Sequence, residues 1–321
     1  MMQPLPLTSP ELIDAINEHF GVRVVELDFL PVGETAWVYV AAEASGNRYI
    51  VKFQKTVPSG LLAVTELLAA TQFAWTPFIH KARSGAVWVE THGLFMSLQH
   101  HLASARQAFV EQAPPAEYLR RVGRLLRELH RLPVPASSSI PRETFHSSFY
   151  EPARTAMRRL DESTPGSGSS GAIRVIKALF DRKRDDIETL FKNATGSGGR
   201  LKLRNPQLVL THGDIHFNNI LEPADGHLHL IDWDQAMLAL PAHDLMYLSD
   251  EQLAIVSSGY GTDLREDTDA LRYYRNHLML RAIWFWLEKA LQASTAEELR
   301  STVDILVELF DGSPYLSRAL S

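Results

Sequence analysis

Cysteine is absent from all 321 residues. That excludes disulfides, thiolate metal sites and cysteine nucleophiles, and it fits a reducing compartment. Long apolar runs are also missing. No stretch reaches the ~18 uninterrupted apolar residues of a membrane span, and the richest window, 278–287, carries Arg281 inside it. Positive charge is in short supply: 32 Lys and Arg stand against 38 Asp and Glu, for a net charge of −6. No basic stripe suits nucleic acid, so no nucleic-acid partner is expected. The first residues, Met1-Met2-Gln3-Pro4-Leu5-Pro6, lack the basic patch and apolar run of a secretion signal. A cytoplasmic location without a membrane partner is therefore the expectation, with the chain a monomer or weak dimer. The mild acidity is compatible with a cationic small-molecule partner. No internal repeat is visible.

What is present is an ordinary globular composition, 45% hydrophobic and 22% charged. At about 150 residues per domain, the length suggests two units or one large enzyme domain. Ser9-Pro10-Glu11 reads as a helix start, with a capping hydroxyl, proline in the first turn and an early acid; Gly21 is the stop. From there the pattern changes to short runs rich in Val, Tyr, Phe and Trp, at 22–30, 37–42, 48–54, 86–90 and 94–98. Ser45-Gly46-Asn47 marks a hairpin turn, and one helix, 59–73, interrupts the strands. After about His100 the chain is mostly helical. Residues 117–131 place Leu119, Val122, Leu125, Leu126 and Leu129 on one face. The glycine- and serine-rich stretches 164–171 and 196–199 read as loops flanking a helix near 173–192. Two short strands, 208–211 and 227–231, precede further helices from 243 onward. The expected class is α+β: residues 1–99 form a small antiparallel-sheet, nucleotide-binding lobe, and residues 100–321 a larger, mainly helical catalytic and acceptor-binding lobe.

The informative segment is Thr211-His212-Gly213-Asp214-Ile215-His216-Phe217-Asn218-Asn219, followed by Leu230-Ile231-Asp232-Trp233-Asp234. Asp214 and Asn219 have the D-x-x-x-x-N spacing of a kinase catalytic loop, and Asp232 ends an apolar run where a kinase keeps a metal-binding aspartate. Phosphoryl transfer needs a carboxylate near the attacking hydroxyl and hard oxygen ligands on Mg²⁺. Asp214 takes the first role, and Asn219 and Asp232 supply the metal ligands. Taken singly, Asp214 or Asn219 fits an Asx-turn equally well; the whole string between two short apolar strands does not.

Upstream, Tyr49-Ile50-Val51-Lys52 is an apolar strand ending in lysine, like the segment that pairs nucleotide α/β-phosphates. An isolated strand lysine is more often a snorkelling surface group. Here it precedes a helix whose acid, Glu66, is the expected ion-pair partner. Pro31-Val32-Gly33-Glu34-Thr35-Ala36-Trp37 is a degenerate candidate for a phosphate-covering loop: it keeps one glycine, Gly33, with Thr35 as the hydroxyl beside it. Ser97 and Gln99, at the end of the fifth strand, are the expected hinge residues for a purine.

His212-Gly213-Asp214-Ile215-His216-Phe217-Asn218-Asn219 resembles, position by position, the H-G-D-x-H-x-x-N loop of the aminoglycoside phosphotransferase family. Ile231-Asp232-Trp233 and Pro241-Ala242-His243-Asp244-Leu245 are similar to that family's downstream segments. Leu271-Arg272-Tyr273-Tyr274-Arg275 and Asp232-Trp233-Asp234 look nearest to its spectinomycin-kinase branch. The resemblance implies a protein-kinase-like fold with Mg²⁺ as cofactor and ATP, or GTP, as co-substrate. The implied acceptor is the hydroxyl of an aminoglycoside or aminocyclitol, and Asp244 braces the catalytic loop. The same fold hosts kinases of choline, homoserine, methylthioribose and amino sugars, and nucleotide-binding pseudokinases, so those alternatives stay open. Gly213 in place of the protein-kinase arginine, and the absence of D-F-G and A-P-E, argue against a phosphorylation-ordered activation loop. Acids at Asp250, Glu251, Asp263, Glu266, Asp267, Asp269 and Glu288 could face a cation, although solvated helix faces and caps are their ordinary use. Trp284, Phe285 and Trp286 are expected to pack in a core, with one tryptophan available to stack on a sugar.

Overall fold

Helix α1 (Ser9–Phe20) shows how locally the chain is directed. Thr8, rather than Ser9, is the cap: its hydroxyl accepts from the Glu11 N–H, and the Glu11 carboxylate accepts from the Thr8 N–H. Ser9 is therefore the first helical residue. Gly21 ends the helix at φ 69°, a conformation that costs glycine nothing. The computed structural model describes residues 3–32, 36–102, 106–107, 114–146, 150–163 and 170–320. It divides into two compact units. One comprises residues 1–142, 209–239 and 259–261; the other comprises 143–208, 240–258 and 262–321.

The first unit is built on an antiparallel sheet. Strands β1 (Val24–Leu30), β2 (Trp37–Glu43) and β3 (Arg48–Gln54) run consecutively, with Gly46 at φ 93° in the β2–β3 turn. After helix α2 (Ser59–Thr71) come β4 (Ile79–His80), β5 (Trp88–Thr91) and β6 (Leu94–His100). β6 pairs with β3 on one side, and with both β4 and β5 on the other. Alternation gives the sheet two different faces. Tyr49, Val51, Phe53, Met96 and Leu98 join Leu12, Ile16 and Phe20 of α1 in a buried core. The opposite side chains of β3 are Ile50, Lys52 and Gln54. Two short ladders complete the unit: β7 (Arg106–Gln107), β9 (Ile220–Glu222) and β10 (His229–Leu230) form one, and β8 (Val209–Thr211) pairs with β11 (Met237–Ala239) in the other. Helix α3 (Ala116–Leu129) buries Leu119, Val122, Leu125, Leu126 and Leu129, the face its spacing predicts.

The second unit is helical. It contains α4 (Glu151–Glu162), α5 (Ser170–Arg182), α6 (Arg184–Arg204), α7 (Asp250–Tyr260, whose last two residues fall in the first unit), α8 (Thr268–Gln292), α9 (Ala296–Val307) and α10 (Pro314–Leu320). α8 is the central element, packed by α4, α6, α9 and α10. The expected loop at 196–199 is not there: α6 runs straight through it. Gly198 is fully inside, and a Cβ on it would stand 3.0 Å from the Tyr273 ring and 3.2 Å from the Phe145 carbonyl. Gly198 admits a neighbouring ring and backbone rather than turning the chain. The stretch 164–169 lies outside the described residues. The aromatic run on α8 also departs from expectation. Ile283 and Leu287 are core, whereas Trp284 and Phe285 remain partly exposed, with Lys289 Nζ 4.5 Å above the Phe285 ring.

Candidate active site

β8 delivers the catalytic-loop segment, and a net of short hydrogen bonds fixes its shape. Thr211 Oγ1 donates to the Met237 carbonyl of β11 at 3.0 Å. Gly213 turns the chain at φ 79°. The buried His212 accepts the Asp214 N–H at Nδ1 (3.3 Å), which leaves Nε2 as the protonated nitrogen, 2.9 Å from the Ile231 carbonyl. One imidazole thus ties the turn before Asp214 to the residue before Asp232. A second tie is the Ile231 N–H, which donates to the Asn219 carbonyl at 3.0 Å.

Asn219 is itself buried, in the 3₁₀ turn Phe217–Asn219. Its Nδ2 donates to the Asp214 carbonyl at 2.9 Å and to Asp214 Oδ2 at 3.1 Å. Both partners can only accept, so the amide orientation is settled and Oδ1 faces the other way. His216 Nε2 lies 3.5 Å from the same Asp214 carboxylate oxygen. The five-residue spacing therefore brings the Asn219 amide onto the Asp214 main chain and carboxylate, with its own oxygen facing away from them.

Asp232 sits at φ 68°, ψ 69°, a left-handed conformation unusual for a residue with a Cβ. Trp233 after it is pinned, its Nε1 donating to Thr76 Oγ1 at 3.3 Å and its ring 4.6 Å from that of His212. Strain of this kind persists where the surroundings over-determine it, and it concentrates at functional positions. The Asp232 carboxylate is half exposed and lies 3.4 Å from Lys52 Nζ. Lys52, Asp232, Trp233 and Asp234 line an open cleft together with Gln54, Leu61, Thr65, Ile79, Val87, Trp88, Ser97, Leu98 and Gln99.

Not every predicted site residue arrives as expected. Glu66 is exposed and makes no ion pair among the described residues; Lys52 has Asp232 as its partner instead. The inward position on α2 belongs to the preceding residue. Thr65 is buried, accepts from Trp88 Nε1 at 3.0 Å and donates to the Leu61 carbonyl at 2.9 Å. Ser97 and Gln99 do line the cleft. Their main chains, however, lie in a strand paired on both sides, because β6 runs on to His100 rather than stopping at Leu98. Their side chains line the cleft, and their main chains are not the free hinge backbone expected of them. Gly33 and Thr35 lie outside the described residues. Asp244 is fully buried in the 3₁₀ turn Pro241–Leu245. Gln54, Thr65 and Trp88 escaped the sequence reading; strand alternation from Lys52 was the signal for Gln54.

Five of the seven acids considered for a cationic acceptor pair with arginines. Asp250, Asp263, Asp267, Asp269 and Glu288 pair with Arg275, Arg265, Arg204, Arg200 and Arg159 at 2.6–2.7 Å. Asp267 also caps α8, accepting from the Ala270 N–H. Glu251 and Glu266 are exposed. Most of these carboxylates are thus structural partners of arginines.

Hard oxygens on Asn219 and Asp232 suit Mg²⁺, which takes one or two protein carboxylates and fills its other positions with water and phosphate. The described residues contain no cluster of three or more His, Cys, Asp or Glu able to hold a metal by themselves. No helix among them is long and apolar enough to cross a membrane.

An antiparallel sheet followed by a mainly helical remainder, with this loop geometry, defines a kinase-like fold. The model of the phosphotransferase enzyme family (APH) matches residues 31–277, and the chain belongs to that family. Among solved structures, it is similar to spectinomycin phosphotransferase, APH(9)-Ia, in complex with ADP and spectinomycin. The TM-score is 0.81 at 19% identity, covering 98% of each chain. An aminoglycoside phosphotransferase from Alicyclobacillus acidocaldarius aligns with a TM-score of 0.64 at 12% identity, over 99% of this chain and 96% of that one. The ethanolamine kinase of Plasmodium vivax gives 0.60 at 13%, over 98% and 86%. At these identities the likeness carries the fold.

Proposed function

We propose that this enzyme transfers the γ-phosphate of a nucleoside triphosphate to a hydroxyl of a small molecule, and that the acceptor is an aminocyclitol or aminoglycoside of the spectinomycin type. The observation that carries the reaction is the convergence of Asp214 with Asn219, and of Asp232 with Lys52, 3.1 and 3.4 Å apart. In this reading the acceptor oxygen bonds to the γ-phosphorus as the bond to the bridging oxygen breaks, and the hydroxyl proton goes to Asp214. Lys52 holds the α/β-phosphates, and Asn219 and Asp232 hold Mg²⁺. When bound, the metal offsets charge on the phosphate oxygens. The acceptor class rests on the family and on the likeness to spectinomycin phosphotransferase.

A second reading, a kinase of a small metabolite, is favoured by one observation: five of the seven candidate acids named for a cation are paired with arginines. The likeness to an ethanolamine kinase supports the same view. The deciding experiment incubates the protein with Mg²⁺ and ATP or GTP against aminocyclitols, aminoglycosides and the metabolite alcohols, and weighs the products. A gain of one phosphate on spectinomycin or a relative supports the first reading. Phosphorylation of choline, ethanolamine or a sugar alone replaces it with the second. Nucleotide binding without turnover on any acceptor would leave a binding module.

A further inference from the structure

Lys52 meets its nucleotide without the helix carboxylate expected to steer it, because Glu66 points to solvent. The same face of β3 carries another group. Gln54 follows Lys52 by two residues, so the two side chains emerge side by side, within mutual reach of two long chains. Gln54 is only 5% exposed, lines the cleft, and has an amide oxygen, Oε1, with no hydrogen-bond partner. A buried acceptor left unmatched is costly, and its persistence in a cleft marks a place where a donor arrives.

The available donors narrow the choice. Trp88 Nε1 is spent on Thr65, and the Thr65 hydroxyl on the Leu61 carbonyl. Among the described residues, Lys52 is the one cation lining the cleft, and its three N–H groups have a single partner, Asp232, at 3.4 Å. If Asp232 turns to a metal, that partner is withdrawn.

We infer that Gln54 is the positioning residue for Lys52: its amide oxygen accepts from the ammonium and holds it toward the nucleotide phosphates, in place of a carboxylate on α2. A neutral acceptor suits this purpose, since it steers the lysine without cancelling the charge that the phosphates need. The inference rests on the nucleotide-site reading above.

The test measures affinity for ADP with Mg²⁺ by calorimetry on the full-length chain, so no acceptor need be known. Lys52→Ala should weaken binding; if it binds as the unaltered protein does, the nucleotide-site reading fails and takes this inference with it. With that control passed, Gln54→Met keeps the volume and removes the amide, and should weaken binding about tenfold, as expected for losing a hydrogen bond to a charged group. Gln54→Glu should restore most of the affinity. The Lys52→Ala, Gln54→Met double variant should bind no worse than Lys52→Ala alone, since both remove one interaction. Melting curves show that each variant folds, and Gln54→Leu, which also removes the amide, serves if Gln54→Met does not fold. Additive losses, unchanged affinity in a folded Gln54→Met, or an equal loss in Glu66→Gln would overturn the assignment.

Discussion

Lys52 Nζ and Asp232 Oδ1 lie 3.4 Å apart although 180 positions separate them in the chain. The two groups are 22% and 50% exposed, so water screens their attraction. Such a pair contributes little to folding, within about 1 kcal/mol. Lys52→Ala should therefore leave the melting temperature nearly unchanged while weakening nucleotide binding. Thermal melts beside a nucleotide titration check this, and a large drop in melting temperature with intact binding would reverse the roles.

Asp214 and Asp232 are both carboxylates, but their surroundings separate them. Asp214 is held by Asn219 Nδ2, whereas Asp232 stands half exposed in the cleft. Asp214→Asn should bind Mg²⁺–nucleotide nearly normally and lose about 10²–10⁴ in transfer rate. Asp232→Asn should instead lose its response to Mg²⁺ in the normal range. Single-turnover rates across a Mg²⁺ titration distinguish the two. Near-normal transfer by Asp214→Asn would mean that the loop has been misassigned.

The loop was legible because its residues are contiguous: spacing alone brought Asp214 and Asn219 together, and the strand pattern placed Lys52 on β3. The helix partner was not. α2 is apolar on all sides, with Leu61, Leu62, Ala63, Val64, Leu67 and Leu68, so no stripe marks its inward face. The phase that buries Thr65 and exposes Glu66 is decided by tertiary packing. Glycines misled in the same way at 196–199, since the sequence records that small residues are needed but not whether a turn or a close neighbour needs them.

That distinction gives a prediction of opposite signs at adjacent residues. Gly199 is exposed within α6 with nothing near its would-be Cβ, so Gly199→Ala should stabilise by about 0.5–1 kcal/mol. Gly198→Ala gains the same helix propensity but crowds the buried Tyr273 ring and the Phe145 carbonyl, and should destabilise by about 1–3 kcal/mol. Denaturant unfolding of the pair reads both. A stabilised Gly198→Ala would show that the α6 packing yields.

Stability should also fall with acid. His277 is buried and kept neutral, mainly by desolvation, with His243 and Arg281 adding to the effect; its pKa is held well below 6.5. Below pH 6.5 the unfolded chain takes up a proton that the folded chain refuses, so stability is full above that pH and declines beneath it. Each such group contributes up to about 1.4 kcal/mol per pH unit. His80, His101 and His229 act in the same direction. Unfolding midpoints between pH 7.5 and 5 should drop, and His277→Gln should drop less steeply. Parallel slopes would remove His277 from the account.

The first compact unit is assembled from pieces of chain that lie far apart, 1–142 and 209–239 with a short addition at 259–261. Synthesis therefore imposes an order on it. The sheet and Lys52 emerge early, but Asp214, Asn219 and Asp232 arrive only after the whole of 143–208 has been made. At about 5–20 residues per second the ribosome imposes a delay of several seconds. During that interval the nascent chain carries Lys52 without the carboxylate that pairs with it. A chain interrupted anywhere before Asp232 yields the sheet and Lys52 without that carboxylate.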